Sequence, residues 1–119
     1  MLVVAAAATA AAYVFHLRDA DAIATAFMWA RLAPLPAAAH DRHVQVRGSV
    51  FTREFIITFI APPETIQGWI SASPGPASAP RVISGTVTTY KIVPGGGAEF
   101  AQVQVDRESG KVIIRTYWS

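Results

Sequence analysis

The segment Ala98–Ser119, AEFAQVQVDRESGKVIIRTYWS, contains two runs of alternating apolar and polar residues around a polar turn. In the first run Val103 and Val105 alternate with glutamines, and the second run, KVIIRTYW, alternates in the same way. Asp106 and Gly110 supply residue types that favour a tight turn. The pattern therefore predicts an antiparallel β-hairpin.

The second strand of this hairpin is rich in β-branched and aromatic residues, which is typical of a strand paired on both sides. An unpaired strand of this composition would be prone to aggregation. We therefore expect it to lie inside the sheet, beside the apolar segment Phe55–Ile60.

The hairpin VQVDRESGKVII, residues Val103–Ile114, resembles the strand–turn–strand unit of extracytoplasmic PepSY-type modules. The resemblance is confined to these residues. It implies no activity, cofactor or partner for this chain.

Upstream of the hairpin, the segment HVQVRGSVFTREFIITFIAP predicts either two strands or one long strand bulged at Gly48. The segment PPETIQGWISASP predicts a helix, because Ile66, Trp69 and Ile70 form an apolar stripe at helical spacing. The segment SPGPASAP predicts an exposed loop, and RVISGTVTTYKIVP predicts one strand.

The predicted fold class is α+β, with a small antiparallel sheet of four or five strands packed by one helix. An alanine-rich, apolar N-terminal helix precedes it. Residues 1–33 form the apolar front segment, which is similar to a signal or anchor helix. Residues 34–40 form a Pro/Ala linker, and residues 41–119 form the α+β domain.

The front segment begins with LVVAAAATAAAYVFHL, which contains no Asp, Glu, Lys or Arg. Its length and small residues favour a signal peptide or membrane anchor, although no basic residue precedes it. A helix of this length spans about 24 Å, short of the roughly 30 Å hydrocarbon core of a bilayer. A helix packed within a cytoplasmic protein or its oligomer is the alternative. The residues assigned to a membrane segment are Leu2, Val3, Val4, Tyr13, Val14, Phe15 and Leu17.

A second helical stretch, AIATAFMWARLA, is apolar nearly all round, so it must be buried against protein or lipid. Asp21 is its predicted N-cap and Pro34 its predicted end. The alternative is one continuous helix that crosses the sequence RDAD.

The cluster HDRH is the best metal-binding candidate, because His40, Asp41 and His43 can all ligate divalent cations. A zinc site needs three or four ligands, and no further ligand lies at a recognisable spacing. The sequence also lacks cysteine and the G-x-S-x-G nucleophile motif. We therefore predict no enzyme activity and no cofactor; a metal-dependent hydrolase built on HDRH is the weakest alternative.

The net charge of +2 comes from basic residues that are scattered along the chain rather than clustered. This distribution predicts no nucleic-acid partner. A core this small cannot hold every aromatic side chain, so some of them should form an exposed interaction surface. The residues assigned to it are Tyr90, Phe100, Arg115, Tyr117 and Trp118. The alternative is that the apolar front helices cover this face of the sheet.

The function expected from these features is that of a non-enzymatic module, membrane-anchored or secreted. It would act through a protein partner or through self-association, with the membrane contacted by its N-terminal helix. The alternative is a cytoplasmic oligomer of structural role, whose alanine-rich helices form the subunit interface.

Overall fold

The computed structural model describes residues 19–119, which form a mixed α+β fold. Its centre is a six-stranded antiparallel sheet in the order β1-β2-β6-β5-β4-β3, so the prediction of four or five strands was too low. The strands are β1 (His40–Gly48), β2 (Arg53–Ile60), β3 (Arg81–Ser84), β4 (Val87–Ile92), β5 (Phe100–Asp106) and β6 (Lys111–Trp118). The helices are α1 (residues 19–29), α2 (Pro63–Ala72) and α3 (Pro74–Ala77).

Strand β6 lies inside the sheet, between β2 and β5, which confirms the prediction from its composition. Ile57 of β2, Ile114 of β6 and Val103 of β5 lie side by side in register, and each is almost completely buried. The strand that comes last in the sequence therefore contributes residues to the middle of the core.

The extra strand comes from the segment RVISGTVTTYKIVP, which was predicted as one strand and forms two. The chain reverses between Ser84 and Val87, which face each other in the β3–β4 pair. Gly85 has a φ of 59°, a left-handed conformation that glycine adopts at little cost. A single glycine between two β-forming runs was therefore enough to make a hairpin.

Helix α2 packs on the sheet through Ile66, Trp69 and Ile70, as its apolar stripe predicts. The prediction of an exposed loop after it was wrong for the first residues, which form the short helix α3. Ser73 and Gly75 are buried there, and a Cβ atom at Gly75 would clash with the carbonyl oxygen of Ala30. The backbone of α3 therefore lies directly against the residues that follow α1.

Helix α1 differs from its prediction at both described ends. Residues 19–21 are already helical, so Asp21 is not the N-cap, and the helix ends at Trp29 rather than near Pro34. Arg31 follows with a φ of 51°, and its Nε donates a hydrogen bond to the carbonyl oxygen of Val93, at 3.1 Å. The left-handed residue turns the chain away from the helix axis before the prolines are reached.

The core joins α1 and α2 to one face of the sheet through aromatic contacts. The Trp29 ring lies 5.3 Å from that of Phe55, and Trp69 packs edge-on against Phe59 at 5.5 Å between centroids. Phe27 of α1 also contacts Trp69, at 6.0 Å. Described residues that precede the predicted linker thus belong to the same hydrophobic core as the sheet. The assignment of the domain boundary to residues 34–40 stays a prediction.

All seven residues assigned to a membrane segment lie outside the described residues. Within residues 19–119, no helix has both the length and the apolar character needed to span a bilayer.

Candidate functional site

The two faces of the sheet have different environments. On β2, the side chains of Phe55, Ile57 and Phe59 point toward the helices and are buried, whereas Ile56 and Thr58 point the other way and are half-buried. No helix among residues 19–119 covers this second side, which we call the open face. The open face therefore offers side chains that are available for contacts.

Three of the five predicted interaction residues meet on the open face. Phe100 of β5 and Tyr117 of β6 are cross-strand partners in the β5–β6 pair. The guanidinium carbon of Arg115 lies 5.8 Å from the centre of the Phe100 ring, within the range of a cation–π interaction. We call these three residues the aromatic patch.

The position of Arg115 in the aromatic patch is fixed by an ion pair. Its Nε donates a hydrogen bond to a carboxylate oxygen of Glu54 at 3.0 Å, and its Nη2 lies 2.9 Å from the same oxygen. The Glu54 side chain is only 14% exposed, while that of Arg115 is 53% exposed. The carboxylate thus anchors the arginine from below, and the guanidinium remains open to a partner.

The other two predicted interaction residues lie elsewhere. Trp118 directly follows Tyr117 in β6, and because successive side chains in a strand alternate, it points to the helix side of the sheet. It is 41% exposed there, since it lies at the strand's end. Tyr90 also points to the helix side and packs against the core. The five residues therefore do not form one continuous surface.

Among residues 19–119, the most exposed large apolar side chains lie in the turn between β1 and β2, which the sequence analysis did not single out. Val50 is 90% exposed and Phe51 is 79% exposed. We call residues 47–53 the finger. Its only sequence signal is the interruption of the alternating pattern at Gly48-Ser49, followed by two apolar residues where a polar turn is expected.

Two arginines flank the tip of the finger, one on each side of the sheet. Arg47 pairs with Glu54 across β1 and β2, which places it on the open face. Arg53 pairs with Gly48 and, on its other side, with Trp118 of β6, so it lies on the helix side. The apolar tip formed by Val50 and Phe51 therefore has one arginine next to it on each side of the sheet.

A groove of about 780 Å³ lies between α2 and the outer strands β3 and β4. Ile66, Ile70 and Val105 contribute apolar surface to it, and Tyr90 also lines it. Arg107 lines it as well, and its guanidinium donates to the Thr88 hydroxyl oxygen at 2.8 Å and to a backbone carbonyl at 2.6 Å. These two hydrogen bonds already occupy the arginine, so its first role is to join the β5–β6 turn to the β3–β4 turn.

The metal-binding candidate HDRH lies at the start of the edge strand β1, and its residues are exposed. His40 Nδ1 lies 3.3 Å from a carboxylate oxygen of Asp41, and the strand pairing shifts between His40 and His43. Asp41 has a φ of 51°. In the part of the chain that the structure describes, no three His, Cys, Asp or Glu residues form a group that could hold a metal ion.

Comparisons of the chain with families of known proteins, with curated proteins and with solved structures gave no match. The choice between the surfaces described above therefore depends on their own chemistry.

Proposed function

We propose that this protein is a non-enzymatic α+β module, exported or held at a membrane by its N-terminal segment, that acts through protein contacts, self-association included. The contact surface in this proposal is the aromatic patch of Phe100, Arg115 and Tyr117. The observation that carries it is the cross-strand pairing of two aromatic residues beneath an anchored arginine on the open face.

The composition of the aromatic patch fits a protein partner. Tyrosine and arginine are over-represented among the residues that contribute most to binding energy in protein interfaces. Because Glu54 already holds the Arg115 guanidinium in place, less side-chain freedom is lost when a partner binds. A preorganised arginine beside two rigid rings is therefore suited to be the centre of an interface.

The surroundings of the aromatic patch fit the rest of such an interface. One cross-strand row of residues runs across the open face from β4 to β1. It consists of Lys91, Gln102, Arg115, Ile56 and Gln45. Four of these residues are polar or charged and one, Ile56, is aliphatic, which is the composition expected for the polar rim of a protein interface. The open face thus offers a flat surface on which a partner can pack around the patch.

In the alternative of a helix-mediated oligomer, the buried face of α1 is not available as the subunit interface. Ala22, Ala26 and Ala30 are buried within their own chain, where α1 packs on the sheet. One face of α1 is therefore used for the core, while Ala20, Ala24 and Met28 on its other side are exposed.

A site-specific photocrosslinking experiment in the native cell tests the contact surface. A photoreactive amino acid at position 100 of the full chain should give crosslinked adducts. The same amino acid at position 82 is the control, because Val82 is 52% exposed on the same face but lies on the outer strand β3. Equal adducts from both positions, or none from position 100, would contradict the assignment of the patch.

The double variant F100S/Y117S separates self-association from binding to another protein. Sedimentation velocity of the purified full chain should show an oligomer that this variant dissociates if the patch joins two copies. A monomer with or without the substitutions, together with adducts at position 100 in cells, assigns the patch to another protein. Recovery of the intact chain in the soluble cytoplasmic fraction of its native cell would contradict the tether.

A further inference from the structure

We propose that the finger docks on an anionic lipid surface, with Val50 and Phe51 entering the boundary between headgroups and acyl chains. Arg47 and Arg53 contact the lipid phosphates in this arrangement. The inference rests on the proposed function only in placing the domain at a membrane, and it concerns a surface separate from the aromatic patch.

The high exposure of two apolar side chains at the finger tip indicates a binding surface. Val50 and Phe51 are the two most exposed among the large hydrophobic residues of residues 19–119, and they are adjacent. Scattered exposed apolar side chains are ordinary on a protein surface, but adjacent ones at the end of a hairpin form a compact apolar probe. Burial of this probe removes two large side chains from water at once.

The tip is held in shape by hydrogen bonds of its own turn. The backbone N–H of Ser49 donates to the carbonyl oxygen of Thr52 at 3.1 Å, and the N–H of Phe51 donates to the Ser49 hydroxyl at 3.2 Å. The Thr52 hydroxyl also accepts from the Ser49 N–H, at 3.1 Å. Val50 and Phe51 are therefore presented by an ordered turn, so little conformational entropy is lost when the tip is buried.

The charge around the tip selects an anionic surface. Within residues 19–119, no carboxylate lies within 4.0 Å of the guanidinium nitrogens of Arg47 or Arg53. Asp21 of α1 lines a hollow beside Arg53 without forming an ion pair with it. Each basic residue close to an anionic leaflet increases binding about fivefold, which is the factor that corresponds to its free energy of attraction.

The same charges disfavour the pairing of two fingers. A contact between the tips of two copies would bring four arginines together around the buried Val50 and Phe51 side chains. Like charges at such a distance repel, and no acidic residue of the finger would compensate them. A lipid surface supplies both the apolar layer and the phosphates that the finger lacks.

Other features at the same end of the sheet fit the contact. Trp118 is the cross-strand partner of Arg53 and is partly exposed, and tryptophan is enriched at the interface between membrane and water. Asp21 and Ala22 of α1 line the hollow that Val46 and Arg53 also line. The first turn of α1 therefore lies beside the base of the finger.

The absence of cysteine from the chain allows the tip to be labelled at one chosen position. The full-length variant F51C carries an environment-sensitive fluorophore, and full-length I83C is the matched control. Ile83 is 59% exposed, but it lies on the opposite edge strand, at the end where β3 turns into β4. Both proteins are mixed with phosphatidylcholine vesicles, with and without about 30% phosphatidylglycerol, and quenching by aqueous iodide is measured.

The inference predicts that anionic vesicles reduce iodide quenching of the label at position 51 severalfold and leave that at position 83 unchanged. The substitutions R47Q/R53Q should reduce the docked population of the finger about 25-fold, as the product of two fivefold factors. The substitutions R81Q/K111Q remove one charge from the opposite edge strand β3 and one from the end of β6 that lies away from the finger, and they should leave the docked population unchanged.

Three outcomes would overturn the inference. If the chain sediments with vesicles while the label at position 51 remains fully quenched, the finger assignment is wrong and the tether stands. If the chain does not sediment with either lipid, the tether and the finger are both wrong. If unlabelled chain alone shields the label at position 51, the finger binds a second copy rather than lipid.

Discussion

The indole Nε1 of Trp69 donates a hydrogen bond to the carbonyl oxygen of Ala33, at 3.0 Å. Next to it, the buried hydroxyl of Ser73 donates to the Trp69 carbonyl oxygen at 2.7 Å and accepts from the Ala33 N–H at 2.9 Å. Both polar groups of Ala33 are thus bound by the C-terminal half of α2 and the residue after it. The chain between α1 and β1 is fastened to the core at this point.

The variant S73A should lower the free energy of unfolding by about 1–3 kcal/mol, because it leaves the Ala33 N–H without its partner. The control is S71A, whose hydroxyl makes an exposed bond to the Gln67 carbonyl oxygen. This control should change the free energy by less than about 0.5 kcal/mol. Urea unfolding followed by tryptophan fluorescence measures both, and equal effects would contradict the role of Ser73.

Two buried threonines should respond in opposite ways to the same substitution. The Thr116 hydroxyl oxygen is buried without a hydrogen-bond partner among residues 19–119, so T116V should stabilise the protein by about 1 kcal/mol. The Thr88 hydroxyl oxygen accepts a hydrogen bond from Arg107, so T88V should destabilise it by about 1–2 kcal/mol. Thermal unfolding measures both; a loss of stability in T116V would mean that its hydroxyl has a partner.

A pair of glycine variants tests the close approach of α3 to the residues after α1. G75A should destabilise the protein by more than about 2 kcal/mol, because the new Cβ clashes with the backbone of Ala30 and neither backbone segment moves freely. G68A is the control, since nothing lies within 4 Å of a Cβ there, and it should stabilise α2 by about 0.5–1 kcal/mol. Similar effects of the two variants in urea unfolding would contradict this packing.

Asp106 should make part of the stability dependent on acid pH. The backbone N–H of Glu108, followed by that of Ser109, donates to its carboxylate and lowers the pKa of Asp106 below its ordinary value of 3.8. Its contribution is therefore fully present above that ordinary value, and it is lost as the pH falls through the lowered pKa. The stabilities of the natural protein and D106N should converge on acidification, and unfolding curves recorded across the acid range measure this. Parallel curves would show that the carboxylate is not bound by the turn.

A chain that begins at His40 should lose its cooperative unfolding transition. It lacks Phe27 and Trp29, whose rings pack on Trp69 and Phe55, and loss of one such aromatic side chain typically costs about 3–5 kcal/mol. The whole stability of a small domain is about 5–15 kcal/mol. A chain that begins at Asp19 keeps these rings and should retain a near-ultraviolet circular dichroism spectrum. A sharp transition in the His40 chain would support a domain boundary at residues 34–40.

The helices and strands that could be predicted well from the sequence are those indicated by a pattern within a few neighbouring residues. The β5–β6 hairpin follows from strict alternation around Asp106 and Gly110, and the apolar stripe of α2 follows from its spacing. The β3–β4 turn was missed because one glycine, Gly85, was its main signal. Helix α1 was misplaced at its ends because Arg31, not a proline, turns the chain.

The interaction residues were predicted from their amino-acid types. The type of a residue does not determine which side of the sheet its side chain faces. Tyr117 and Trp118 are neighbours in β6 and so point to opposite sides. Which side Tyr90 occupies depends on its register with Val103, a long-range relation that no local pattern reveals. The finger was missed for a similar reason, since the exposure of Val50 and Phe51 is a property of the folded hairpin.

The central position of β6 has a consequence for biosynthesis. Until Lys111–Trp118 leaves the ribosome, the growing chain can form the β1–β2 pair and the β3–β4–β5 group, but β2 and β5 have no strand between them. Each group then presents an unpaired inner edge, the kind of surface that chaperones protect and that other nascent chains can capture. The sheet can therefore close only after translation has passed its last strand, and a stop codon before that strand would release two halves that cannot join.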